Sequence, residues 1–281
     1  MASTSQDNSC LAQLRDLDRD RYIAALLSPA DKREAIASIY CFNAEIARVS
    51  DVTREVLTGE IRLQWWRDAL EGKSIGDANA HPVAGPLLAT IADYALPIET
   101  FLNLIEARVF DLYDDSFDTM NSFEGYAGET ASALIQLASL ILDPDKFQNY
   151  ADTAGHAGVA QAIAGSLMMM PVHRSRNQMY VPLEILNAVG ISRDEFLAGD
   201  KKDQISAAIE IFATKGLEHL RLAKVQKIDP ILVSAYLPVS VTETVLKRAL
   251  KLKSNVLSEQ IQPSELQRYW LMWKAGFKKS I

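Results

Sequence analysis

Three aspartates stand close together at Asp111, Asp114 and Asp115, with Glu106 about a turn and a half of helix before them. Positions four apart share a helix face, so Asp111 and Asp115 would project together if the segment is helical. Carboxylates paired in this way can hold a magnesium ion, which takes oxygen ligands and bridges to a substrate phosphate. A second acidic position is Asp51, which follows Arg48 and lies six residues beyond Glu45. A basic counterpart occurs at His173, Arg174 and Arg176. Arginine forks match phosphate or carboxylate geometry, so these residues suit an anion. Taken alone, both sets are more often solvated helix-end charge and an exposed basic loop. His81, His156 and His219 are scattered without the spacing of a zinc site. The chain has no GxSxG, no P-loop and no GxGxxG after a strand, so those enzyme classes have no support.

The elements that must position these residues are helical. Apolar residues recur at helical spacing nearly throughout, and no convincing alternation marks a strand. A first helix after Ser9 carries Leu11, Leu14, Leu17 and Tyr22. Ser28 and Pro29 read as the cap and first position of a long helix reaching about Asp51. Trp65 and Trp66 fall in the next helix, about 100° apart, so only one can point fully inward. A helix from Ile98 to about Asp114 would end in the aspartate cluster, and two more cover Phe123 to Leu142 and Lys146 to Met170. The last of these is rich in small residues (Ala160, Ala162, Ala164, Gly165), so neighbours can approach it closely. Pro171 lacks an amide donor and clashes with the preceding turn, so this helix kinks or ends there, and the basic segment follows. Met168, Met169 and Met170 read as core. Long amphipathic helices are expected from about Lys201 to Gln226 and from Ser264 to Phe277.

Hydrophobic content of 48% supports a well-buried core, and 13 glycines with 10 prolines are too few for a disordered or fibrous chain. With no repeat or flexible linker, residues 1–281 read as one all-helical domain behind a polar tail at residues 1–9. A net charge of −7 argues against nucleic acid as the main partner. Cys10 and Cys41 form neither a CxxC pair nor a disulfide framework, which suits a reducing compartment. The first ten residues have no basic region and no apolar run, unlike a targeting segment. No window approaches the roughly 18 apolar residues of a membrane span. A soluble, cytoplasmic protein able to lie peripherally on the inner membrane is expected.

Several segments, in order, carry a resemblance. Leu27 to Arg33 followed by Ala37-Ser38-Ile39-Tyr40, Asn103 to Glu106 with Asp111, Phe123 to Tyr126, Gly158 to Gln161, and Met179 to Leu183 resemble the squalene/phytoene synthase family along almost the whole chain. The resemblance implies an all-α isoprenoid-synthase (terpenoid synthase) fold with helices around a central cavity. It also implies joining of two prenyl diphosphates head to head, with magnesium held by two aspartate-rich motifs on facing helices. Asp51 and Asp111 are then the catalytic candidates. Asp111, Asp114 and Asp115 are the metal candidates if the chain is active. Gln161, His173, Arg174, Arg176 and Tyr180 are the candidates for substrate or anion binding.

The motifs themselves depart from the family. Its first aspartate motif falls on Ala47, Arg48 and Asp51, so one aspartate survives. Its second falls within Leu167 to His173, where Met168, Met169, Met170 and Pro171 leave no carboxylate. Such walls would hold a metal cluster poorly, and diphosphate ionisation depends on those cations. Phe42 to Ala47, Gln64-Trp65-Trp66, Pro171 to Arg176 and Gly190 to Leu197 are similar to the branch containing the mitochondrial complex I assembly factor 6. That resemblance implies a diverged protein that binds an isoprenoid or lipid-like ligand, or a partner of the respiratory chain. The rival expectation is a working, magnesium-dependent prenyltransferase.

Overall fold

The structure is a computed structural model that describes residues 9–53, 55–74 and 76–281; the first eight residues of the expected polar tail lie outside them. Its helices are α1 (Cys10–Leu17), α2 (Arg19–Leu26), α3 (Arg33–Ala47), α4 (Val49–Val52), α5 (Val56–Leu70), α6 (Ala84–Asp93), α7 (Ile98–Val109), α8 (Met120–Ala127) and α9 (Ala133–Leu142). They continue with α10 (Pro144–Phe147), α11 (Ala151–Met168), α12 (Met170–Ser175), α13 (Leu183–Ala188), α14 (Arg193–Ala198), α15 (Lys202–Ala223), α16 (Val233–Tyr236), α17 (Thr242–Leu252) and α18 (Glu265–Lys278). Short 3-10 turns intervene, and a π-helical turn at Gly128–Ser132 joins α8 to α9. No strand occurs among the described residues. The all-α expectation therefore holds. The chain divides into two compact units. One comprises Met1–Tyr113, Leu134–Gln148 and Asp229–Ala235; the other comprises Asp114–Ala133, Asn149–Ile228 and Tyr236–Ile281.

In the first unit the core is centred on Phe42 of α3. Its ring meets Trp66 edge-on at 5.1 Å and Phe101 at 5.6 Å, and all three are buried. Trp66 points inward while Trp65 is half-buried, as the 100° offset requires, and the His81 ring packs on both. The Ser38 and Thr90 hydroxyls bond at 2.9 Å inside this core. Burial pushes the Tyr40 phenol up to about 12, although the Arg21 guanidinium lies 5.7 Å from the ring centroid.

Three expected boundaries are corrected here. The opening helix is two helices, because Asp18 turns extended and its carboxylate accepts the Arg21 amide at 3.0 Å, capping α2. Ser28 is not a helix cap: its hydroxyl donates back to the Ala24 carbonyl at 3.0 Å, and α3 begins only at Arg33. That helix ends at Ala47, and Asp51 sits on the separate single turn α4.

The second unit is built on α11 packed along α15. Small residues set how closely neighbours approach. A Cβ on Gly158 would fall 2.2 Å from the Ser132 hydroxyl and 2.3 Å from its amide nitrogen, so only glycine lets α11 meet the π-helical turn. Ser132 bonds the Gly155 carbonyl across the same contact at 3.0 Å. Phe123 of α8 meets Phe212 of α15 edge-on at 5.2 Å, closing the core on that side. The small-residue helix breaks at Met169, two residues before the expected point. Pro171 then lies in the first turn of α12, where its missing amide costs nothing. Of the three methionines only Met170 is core, while Met169 is 43% exposed.

Candidate functional site

The surviving acidic positions of the first unit do not converge on a metal. Asp111 is 6% exposed and lies in the 3-10 turn that ends α7. Its carboxylate accepts Arg108 Nη1 at 2.9 Å, an i, i+3 pair, and Arg108 Nη2 reaches Asn43 Oδ1 of α3 at 3.4 Å. This carboxylate, guanidinium and amide form a polar core joint that pins the end of α7 to α3. Asp51 is exposed on α4, and Glu106 pairs with Arg67 at 2.6 Å.

Asp114 and Asp115 do not share a helix face with Asp111. The helical path stops at Leu112, Tyr113 is extended (φ −109°, ψ 159°), and both aspartates lie exposed in irregular chain. The four-residue spacing therefore loses its meaning. That segment is held through its backbone by Arg193, which donates to the Asp114 carbonyl at 3.2 Å, to the Ser116 hydroxyl at 3.2 Å and to the Asn177 carbonyl. Arg193 is an organising residue that the sequence disguised, because it sits in the first turn of a well-capped helix, α14.

In the second unit, Gln161, Gly165 and Met168 are spaced four and three apart, so they share one face of α11. All three are half-buried, and a Cβ on Gly165 would meet nothing within 4 Å. This face is open, and the stretch 167–173 that follows carries no carboxylate. His173 and Arg174 stand on helix α12 and Arg176 caps its C-terminal end, and the three divide. Arg174 donates to the Leu197 and Ala198 carbonyls, each at 2.6 Å, closing the end of α14. This use of a cation at a helix C-terminus takes it away from any external anion. Gly199 follows with φ +89°, and a Cβ there would strike the same guanidinium at 2.9 Å. Arg176 is exposed. His173 stacks on Tyr180 at 4.4 Å, and Tyr180 belongs to an aromatic nest with Phe117 and Tyr126, each 6.1 Å away.

Two histidines that look unrelated in sequence are neighbours in space. His156 of α11 and His219 of α15 meet Nδ1 to Nδ1 at 3.0 Å, and His219 Nε2 lies 3.3 Å from Glu124 Oε1 of α8. The carboxylate asks for a proton on His219 Nε2, which leaves its Nδ1 to accept from His156. Burial, followed by the neighbouring His219, lowers the His156 pKa against the pull of Asp152 and Glu124. A separation of 63 residues hid this pair, and only the packing of α11 on α15 creates it.

The magnesium cluster implied by the family needs several carboxylate oxygens facing one space. Among the described residues no three His, Cys, Asp or Glu side chains are grouped to hold a metal. Asp111 is committed to Arg108, and the 167–173 wall offers thioethers and a proline. These residues do not fit that cluster.

A crystal structure of a dehydrosqualene synthase superposes with a TM-score of 0.78 at 15% identity, covering 96% of this chain and 94% of that one. The class is therefore the all-α isoprenoid-synthase fold. The Squalene/phytoene synthase family pattern matches residues 14–267, and the chain belongs to that family. Among curated relatives, the rat NADH dehydrogenase (ubiquinone) complex I assembly factor 6 is 28% identical over 275 residues, spanning 95% of this chain and 82% of the relative. A 15-cis-phytoene synthase from Synechocystis is 25% identical over 194 residues, spanning 65% of this chain and 57% of that one.

Proposed function

We propose that this protein is a non-condensing member of the squalene/phytoene synthase family that supports assembly of a respiratory NADH dehydrogenase. The observation that carries the reading is the makeup of the two walls where family members keep aspartates. One keeps only Asp51 beside Ala47 and Arg48, and the other has Met168, Met169, Met170 and Pro171; the nearby Asp111 is neutralised by Arg108 in a buried pair. The balance of similarity supports it too, since the assembly-factor relatives align along nearly the whole chain and the phytoene synthase along two thirds. The open face of Gln161, Gly165 and Met168 favours retention of an isoprenoid or lipid-like ligand without its condensation. The rival prenyltransferase would have to ionise a diphosphate without the usual carboxylate-bound cations.

Complementation tests this role. Mammalian cells lacking assembly factor 6, supplied with this chain behind a mitochondrial leader, are expected to regain assembled NADH dehydrogenase on native gels. Imported, folded protein with no recovery of the complex contradicts the assembly role.

A further inference from the structure

The C-terminal helix carries a feature that neither the core nor the α11 face uses. In α18, Leu266, Trp270, Trp273 and Phe277 are 81%, 53%, 58% and 78% exposed. Their spacing of four, three and four places all four within an arc of about 60° along roughly 16 Å of helix. The opposite face is the packed one: Arg268, Met272 and Ala275 are buried, and Arg268 bonds the Pro263 carbonyl at 3.1 Å. The helix is therefore docked by its back and shows its most apolar side chains outward. Trp273 and Phe277 stack on each other at 5.7 Å.

Cations border the stripe. Lys274 Nζ lies 4.7 Å from the Trp270 ring centroid, and Lys278 and Lys279 follow at the exposed end. Residues 242–281 hold eight Lys and Arg against three Glu, a net +5, which leaves −12 on the rest of a chain of net −7. An acidic protein has thus gathered positive charge around this aromatic helix face.

We infer that α18 is a docking element for an anionic lipid surface, with Trp270, Trp273 and Phe277 entering the headgroup boundary and Lys274, Lys278 and Lys279 meeting lipid phosphates. Tryptophan and phenylalanine beside lysine form the composition of a helix that lies in a membrane interface, where long amines reach the headgroups while their stems cover apolar surface. A stripe one helix wide is small against the roughly 800 Å² per partner of a stable protein interface, which argues for lipid over a protein. No described helix is long and apolar enough to cross a membrane, so attachment through this face would be peripheral. The inference stands apart from the assembly role, since it concerns a surface and not the α11 face.

Cosedimentation of the full chain with phosphatidylcholine vesicles, with and without phosphatidylglycerol, tests it. Binding is expected only with phosphatidylglycerol, accompanied by a blue shift of tryptophan emission and weakening as salt rises. The variant Trp270→Ala/Trp273→Ala/Phe277→Ala should lose binding by about a thousandfold, at about tenfold for each aromatic. Lys274→Gln/Lys278→Gln/Lys279→Gln should lose at least about tenfold. All six side chains are on the outward side, so both variants should melt with the wild type, which separates lost docking from lost folding. Indifference to phosphatidylglycerol vesicles, or equal binding by the aromatic variant, overturns the proposal. So does a face that instead controls self-association or binds a protein while vesicles are ignored.

Discussion

Asp111→Asn removes one charge from a buried pair and keeps the side chain's shape. Breaking a buried ion pair by neutralising one partner costs about 3–5 kcal/mol, because the other charge stays behind without its counter-ion. Here the Arg108 and Asp111 side chains are 18% and 7% exposed, so solvent screens part of that loss. We expect about 2–3 kcal/mol, which for a chain of this size lowers the melting midpoint by about 5–10 °C. Arg108→Gln should cost a similar amount. The double variant should cost less than the sum of the two, since neither charge is then stranded. Thermal melts of the four proteins, with and without magnesium, provide the assay. An Asp111→Asn protein as stable as wild type or more stable would refute the reasoning, because it would mean the carboxylate is held for a ligand at the expense of the fold. The same holds if magnesium raises the wild-type midpoint and the variant loses that gain.

Other outcomes follow from single contacts. Gly158→Ala should destabilise by about 3 kcal/mol, because its Cβ would fall 2.2–2.4 Å from Ser132, backbone included; Gly165→Ala, facing open space, should stabilise by about 0.5–1 kcal/mol in the same urea titrations. The lowered His156 pKa costs nothing above about pH 6.5, where His156 is neutral both folded and unfolded. As pH falls below that, the unfolded chain takes up the proton first and stability drops until pH passes the folded pKa. His156→Gln should therefore lose less stability than wild type between about pH 7 and about pH 5, and an identical slope would count against the packed histidine pair. Arg174→Gln frees the Leu197 and Ala198 carbonyls and should raise amide exchange in α14 while leaving α15 protected.

The helical class was legible because burial on one face leaves a 3.6-residue signature, and α15 and α18 fall within three residues of their expected ends. Local signals failed where a side chain had two uses. Ser28 before Pro29 has the pattern of a cap, yet its hydroxyl closes the helix behind it. Asp111 and Asp115 have helical spacing, yet the chain leaves the helix between them. The basic cluster looked like one anion site, yet Arg174 is absorbed by a helix end 23 residues away. The missing carboxylates of 167–173 were plain from sequence, since an absence needs no geometry. The joining of Arg108 to Asp111 and of His156 to His219 needed the packing itself, which one-dimensional spacing does not record.

The central claim is that the fold persists here while the condensation chemistry is gone. Its direct measurement is incubation of the purified chain with farnesyl or geranylgeranyl diphosphate and magnesium, followed by analysis of hydrocarbon products and released pyrophosphate. The account predicts intact diphosphate and no condensed product. Squalene or phytoene release that disappears in Asp111→Asn would contradict it.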